Sequence, residues 1–219
     1  MSNDISLIGL LSFSTLLPFI IACGTCYIKF SIVFIMVRNA LGLQQTPSNM
    51  TLNGIALMLA AFVMSPVITQ SYENYRNGDY NLNSVESVSN FIENGIGGYR
   101  AYLERYTDPE LAAFFEKAQN GQNNKQLESG DKGRPLSIIS LLPAYALSEI
   151  KSAFLIGFYL YLPFVVIDLL VSSILLALGM MMMSPVTISV PIKLIMFVVL
   201  DGWTILSKGL ILQYLDLTV

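Results

Sequence analysis

The chain has 219 residues and no histidine. That removes the commonest general base and the commonest metal ligand from any catalytic reading. Charge is scarce as well. Asp, Glu, Lys and Arg make up 12% of the sequence, about half of the roughly 25% found in soluble domains. The net charge of −3 offers no basic excess of the kind nucleic-acid binding requires. Cysteine is limited to Cys23 and Cys26. They form a CxxC inside an apolar run rather than after a strand, so the context of a redox motif is missing. They read as two small helix-packing residues. The N-terminal MSNDISL has an acid and no Lys or Arg before the apolar run, unlike a cleavable signal peptide. The first hydrophobic segment is therefore expected to remain in the mature protein.

What the chain does have is hydrophobic length. Apolar residues make up 54% and the mean hydropathy is +0.61. A bilayer core of about 30 Å takes about 20 apolar residues in a helix. Ile5 to Val37 exceeds that, broken by Pro18, the Gly24–Thr25 pair and Lys29. Arg38 closes it, and Gly42 and Pro47 mark a polar connection. Thr51 to Gln70 is a second region of spanning length. A third begins near Leu136 and ends at Met183, and a fourth runs from Val186 to Leu212. Between the pairs lies a polar, Asn- and Gly-rich stretch. There Ser84 is expected to cap a short helix, Arg100 and Glu104 form an i,i+4 pair, and Thr107 with Glu110 reads as a T-x-x-E capping box. Asn120 to Gly133, rich in Gln, Asn and Gly, reads as mobile.

The predicted fold is an all-α membrane protein. Two kinked hydrophobic helical hairpins, residues 1–70 and 136–219, flank a small helical extracytoplasmic domain, 71–135. The even number of apolar regions places the N-terminus, the polar domain and the C-terminus on one side. Arg38 and Lys193 flank the two opposite connections, which the positive-inside rule assigns to the cytoplasm.

Lys29, Asp168, Asp201 and Lys208 fall within or beside apolar regions, where a lipid-facing charge costs a few kcal/mol. Pairing that fixes helix register and assembly contacts is the expected role, alongside Glu149 and Lys151 ahead of the third region. Asp201 and Lys208, seven apart, would share a helix face, and Lys29 and Lys208 are placed to snorkel. Pro18, Pro163, Pro185 and Pro191 are expected helix breaks. Small residues such as Gly157, Ser172 and Gly202 allow helices to approach closely. Such segments suit packing against other protein, and the chain reads as built to oligomerise.

Met180 to Met183 stand where the third region must stop, between Gly179 and Ser184-Pro185. Core filling would explain four flexible, polarizable side chains. So would a ring of soft side chains around an axis, sealing a pore and deforming around a passing chain.

Three segments resemble a known family: KFSIVFIMVRNALGLQQTP, the stretch from LPAYALSEIKSAF to LGMMMMSP, and PIKLIMFVVLDGWTILSKGL. The chain is identified as a member of the FliP/SctR (YscR) family, the R-type export-apparatus proteins of type III secretion systems, nearest its invasion-type virulence branch. The resemblance covers nearly everything outside 76–135. It implies a bacterial inner-membrane complex of five such subunits with S-type and T-type partners, beneath the inner rod and needle base. That complex passes unfolded secreted proteins. No cofactor or metal is expected for this chain. The family's methionine gasket maps onto Met181, Met182 and Met183, with Met180 beside them. Flagellar members begin with a signal peptide, and many members read Pro-Pro where this chain has Ser184-Pro185. A small-solute or ion transporter using Asp168 and Asp201 as coupling sites is the competing reading. An enzyme finds no nucleophile motif or metal-ligand spacing.

Overall fold

A computed structural model describes residues 11, 14–15, 18–77, 97–122, 137–180 and 182–215. Among them every regular element is helical: α1 Pro18–Gly24, α2 Tyr27–Ala40, α3 Asn49–Asn77, α4 Gly97–Tyr106, α5 Pro109–Gln122, α6 Ile138–Ala177, α7 Pro185–Val199 and α8 Gly202–Leu212. The expected helix after Ser84 lies outside the described residues, as does most of 120–133.

Two single helices are long and apolar enough to cross a membrane, α3 over Asn49–Gln70 and α6. Two further apolar stretches are bent pairs, α1–α2 at 72° and α7–α8 at 60°. The first bend falls at Thr25–Cys26, as the Gly24–Thr25 pair suggested. At 40 residues α6 is about 60 Å long, twice the hydrocarbon thickness.

The chain divides into two compact units. The first comprises residues 1–28 and 64–150. Its core gathers Cys26, Met64, Tyr102, Leu103, Ala112, Leu141, Ala144 and Tyr145. The Tyr102 and Tyr145 hydroxyls share a hydrogen bond of 2.6 Å, and the Asp108 N–H donates to Ser148 Oγ at 2.8 Å. The cap of α5 differs from the T-x-x-E expectation. Asp108 Oδ1 accepts from the Glu110 N–H at 3.0 Å, while Thr107 Oγ1 turns back to the Leu103 carbonyl. A carboxylate immediately ahead of Pro109 is the better N-cap, because Pro at the first helical position needs no partner. Arg100 and Glu104 do meet, at 4.0 Å.

The second unit comprises residues 29–63 and 151–219. Here α2 buries Phe30, Val33, Phe34 and Val37 along one stripe, and α3 buries Leu52, Ala56, Ala60 and Val63 along another. Both have helical spacing. Ser31 meets Asn53, and Arg38 meets Asn49; as one number falls the other rises, so α2 and α3 are antiparallel. The same logic pairs α6 with α7 through Phe164–Phe197 and Asp168–Lys193. Trp203 makes edge contacts with Phe34 and Phe197, at 6.0 and 5.3 Å between centroids, and Phe30 meets Tyr214. Each such aromatic pair contributes about 0.5–1.5 kcal/mol beyond its buried area.

Candidate functional site: a methionine turn and its anchors

The second unit holds the methionine turn, and its backbone explains why the methionines leave the helix. At the end of α6 the Gly179 N–H donates to the Leu176 carbonyl and the Met180 N–H to the Leu175 carbonyl. Gly179 has φ +74°. This is a Schellman ending, in which a left-handed glycine satisfies the last carbonyls and turns the chain aside. The Met183 N–H then donates to the Met180 carbonyl, closing a turn. Ser184 is extended and Pro185 starts α7. Its ring presets φ for a first helical residue. Met180 and Met183 are exposed and Met182 is 103% exposed, so its whole side chain projects. Met181 lies outside the described residues.

Below the turn, Lys193 on α7 joins Asp168 on α6. Nζ donates to Asp168 Oδ2 at 2.6 Å and to the Ala40 carbonyl at 3.2 Å. Lys193 is 5% exposed and the Asp168 side chain 42%. A buried ammonium is costly unless paired and hydrogen-bonded; here it has both kinds of partner. Ala40 is the last residue of α2, and its carbonyl is one of those a helix end leaves unsatisfied.

The α2 ending repeats the device seen at α6. The Gly42 N–H donates to the Asn39 carbonyl and the Leu43 N–H to the Arg38 carbonyl, with Gly42 at φ +78°. A Cβ at Gly42 would lie 2.6 Å from Val190 Cγ2 on α7. The first connection therefore packs closely against α7. Arg38 is buried, and its Nη1 donates to the Pro47 carbonyl at 3.1 Å and Asn49 Oδ1 at 2.6 Å.

The other charges scatter. Lys29 is buried, with Nζ 4.6 Å from the centre of the Tyr214 ring, a cation–π geometry, so it does not reach for an interface. Glu149 is buried in the first unit, Lys151 is exposed, and Lys208 is exposed on α8. Asp201 sits at the α7–α8 bend in the left-handed region, φ 49° and ψ 46°, and its Oδ1 accepts from Thr204 Oγ1 at 2.9 Å. It precedes α8 instead of sharing a helix face with Lys208. Pro18 begins α1. Pro163 and Pro191 lie inside helices that continue past them, because one lost hydrogen bond weakens a well-packed helix without ending it. The chain breaks at Leu200–Asp201 instead.

Sequence reading missed the tyrosine cluster of the first unit. Tyr99 Oη donates to the Gly24 carbonyl at 2.8 Å, at the α1–α2 bend. Burial pushes the Tyr99 phenol up to about 12. Burial, with the nearby Cys26 and Glu149, also raises Tyr102. The spacing in YRAYLERY puts three tyrosines on one helical turn surface, but only the partners Gly24 and Tyr145 reveal their use. Cys23 is exposed and Cys26 buried, and no disulfide joins them. Among the described residues no group of three or more His, Cys, Asp or Glu converges.

Comparison with known proteins adds a lineage. The model of the FliP family matches residues 10–210. The surface presentation of antigens protein SpaP of Salmonella typhimurium is 65% identical over 99% of each chain. The protein of the same name from Shigella flexneri is 63% identical over 99% of each. The Yop proteins translocation protein R of Yersinia pestis is 44% identical over 97% of each.

Proposed function

The chain belongs to the FliP family, and from that premise we propose that it is a core pore subunit of a type III secretion export gate. It carries unfolded virulence proteins across the bacterial inner membrane. Its role is structural, not enzymatic. Five copies assemble with S-type and T-type subunits below the inner rod and needle base. The relatives named for translocation and antigen presentation support a secretion role, and the apolar helices α3 and α6 support a membrane setting. Residues 1–70 and 136–219 form the two hydrophobic arms. The 71–135 domain and the N-terminus face the extracytoplasmic side, with Arg38 and Lys193 near the cytoplasmic connections.

The methionine turn is the gasket. The observation that carries this is Met182, a fully projecting apolar side chain on a turn pinned by Gly179 before it and Pro185 after it. Leaving a methionine side chain in water forgoes about 1.5–3 kcal/mol of burial, which contact with the same turn of neighbouring copies recovers. The test is the triple variant Met181→Ala, Met182→Ala, Met183→Ala in the assembled complex. Small-ion leakage through reconstituted complexes is expected to rise. Permeability equal to the unaltered assembly refutes the gasket.

A further inference from the structure

We propose that Met182 is a site of reversible oxidation to methionine sulfoxide, and that a two-electron oxidant such as a peroxide thereby opens the gasket to small ions. The inference rests on the gasket reading and adds a chemical means of control to it.

Accessibility comes first. Met182 is 103% exposed, the most of any described methionine, against 6% for Met64. Met180 and Met183 beside it are about half as exposed. The oxidant must reach the sulfur, so exposure orders the methionines of one chain. A side chain that lines a pore is reached through the pore itself.

The step balances without a catalytic group from the protein. The sulfur lone pair attacks one peroxide oxygen, an S–O bond forms and the O–O bond breaks. Sulfur is oxidised by two electrons, and the peroxide is reduced to water or an alcohol. The product is a polar, chiral side chain in place of a flexible apolar one. A methionine sulfoxide reductase reverses the change: two thiols return the sulfide and leave as a disulfide and water.

The construction of the turn converts that local event into a change of seal. Its backbone is held by the Met180 N–H to Leu175 carbonyl bond, the Met183 N–H to Met180 carbonyl bond, Gly179 and Pro185. None of these ties involves sulfur, so the turn keeps its shape while its surface becomes polar. A sulfoxide oxygen accepts hydrogen bonds, and among apolar neighbours it finds no donor except water. It therefore draws water into the contact. Apolar constrictions exclude ions by staying dry, and a wetted one lets them pass.

The experiment uses the full chain in its assembled complex, reconstituted in liposomes and treated with hydrogen peroxide. Peptide mass spectrometry reads oxidation at each methionine, and ion flux reads the seal. Met182 is expected to oxidise several-fold faster than Met64. Leakage should rise in step and return to its starting value after treatment with methionine sulfoxide reductase. Met182→Leu should show no rise over its own untreated level; a rise equal to that of the unaltered complex refutes Met182 as the site. Met50→Leu with Met58→Leu, which removes two exposed methionines of α3, should respond as the unaltered complex does. The response should be the same at about pH 6 and about pH 8, because a thioether has no proton to lose. A rise confined to the higher pH would assign it to the thiolate of exposed Cys23 and overturn the proposal. Met182 oxidising no faster than Met64 refutes the site. Oxidised Met182 with unchanged flux refutes the switch; the gasket itself stands if the triple alanine variant leaks, and falls with the switch if that variant is tight.

Discussion

Gly42 and Gly179 make the same Schellman ending in different surroundings, and exchanging each for alanine separates two energies that usually travel together. Both have φ near +75°, so an alanine at either pays the left-handed penalty of about 1–2 kcal/mol. At Gly179 no atom lies within 4 Å of where a Cβ would stand, and the backbone term is the whole cost. At Gly42 the new Cβ would meet Val190 Cγ2 at 2.6 Å. Overpacking of that kind adds about 1–3 kcal/mol. Gly42→Ala should therefore cost about 2–5 kcal/mol against about 1–2 for Gly179→Ala. At about 2–4 °C per kcal/mol for a chain of this length, thermal unfolding followed by far-UV circular dichroism resolves the two. Val190→Ala in the Gly42→Ala background removes the obstructing methyl group and should recover the steric part, leaving the double variant near Gly179→Ala. Two glycine variants that melt together, or a double variant no better than Gly42→Ala alone, would refute the close contact between the first connection and α7.

Asp168→Asn should destabilise the second unit more than its partly exposed position suggests, because it leaves the buried Lys193 ammonium with neutral acceptors and no counter-charge. The cost expected is about 1–3 kcal/mol, below the about 3–5 of a fully buried pair, and Asp168→Asn with Lys193→Met should cost less than the sum of the singles in a thermal double-mutant cycle. Tyr102→Phe and Tyr145→Phe each remove the hydrogen bond between the two buried hydroxyls, at about 0.5–1.5 kcal/mol; together they should cost less than their sum, read by the same melts. The raised phenol of Tyr99 keeps it neutral in the fold while the unfolded chain ionises at its ordinary value of 10.0. Stability from this group is complete below pH 10 and lost as pH rises toward 12. Tyr99→Phe should flatten that alkaline decline in melting temperature, and an unchanged slope would show that Tyr99 does not contribute.

The architecture was legible wherever one residue decides the backbone. Gly42 and Pro47 marked the first connection, Gly179 and Pro185 the second, and the Gly24–Thr25 pair the first bend, because left-handed φ and a missing N–H are local properties. Apolar length located α3 and α6 for the same reason. The bend at Leu200–Asp201 was not legible. Pro191 offered the stronger local signal, yet neighbouring packing carries the helix through it, and a non-glycine residue takes the left-handed position instead. Pairing among the charges was out of reach as well. Asp168 and Lys193 are 25 residues apart, and only the antiparallel course of α6 and α7 brings them together. The seven-residue spacing of Asp201 and Lys208 was a good periodic match to a helix that does not contain Asp201.

Compared with each other, the two connections show how one backbone device produces opposite surfaces. Each begins with a Schellman glycine and leads into a helix. The first is polar, and Arg38 ties it down through Pro47 and Asn49. The second is apolar, and the bond from the Met183 N–H to the Met180 carbonyl closes it through the backbone. Freedom in the second turn therefore resides in its side chains, since Gly179 and Pro185 fix where the backbone leaves one helix and enters the next. Methionine suits that division of labour. Its three rotatable bonds and polarizable sulfur let it conform to varied shapes, while a β-branched residue would be restricted at χ1. In the gasket proposed above, such side chains would adapt to different passing chains without unfolding the turn that carries them. Replacing Met182 with isoleucine keeps the apolar character and removes most of that compliance. If compliance is what the turn supplies, Met182→Ile in the assembled complex should retain the ion seal yet slow passage of secreted proteins; equal secretion rates with an intact seal would mean that apolar bulk alone suffices.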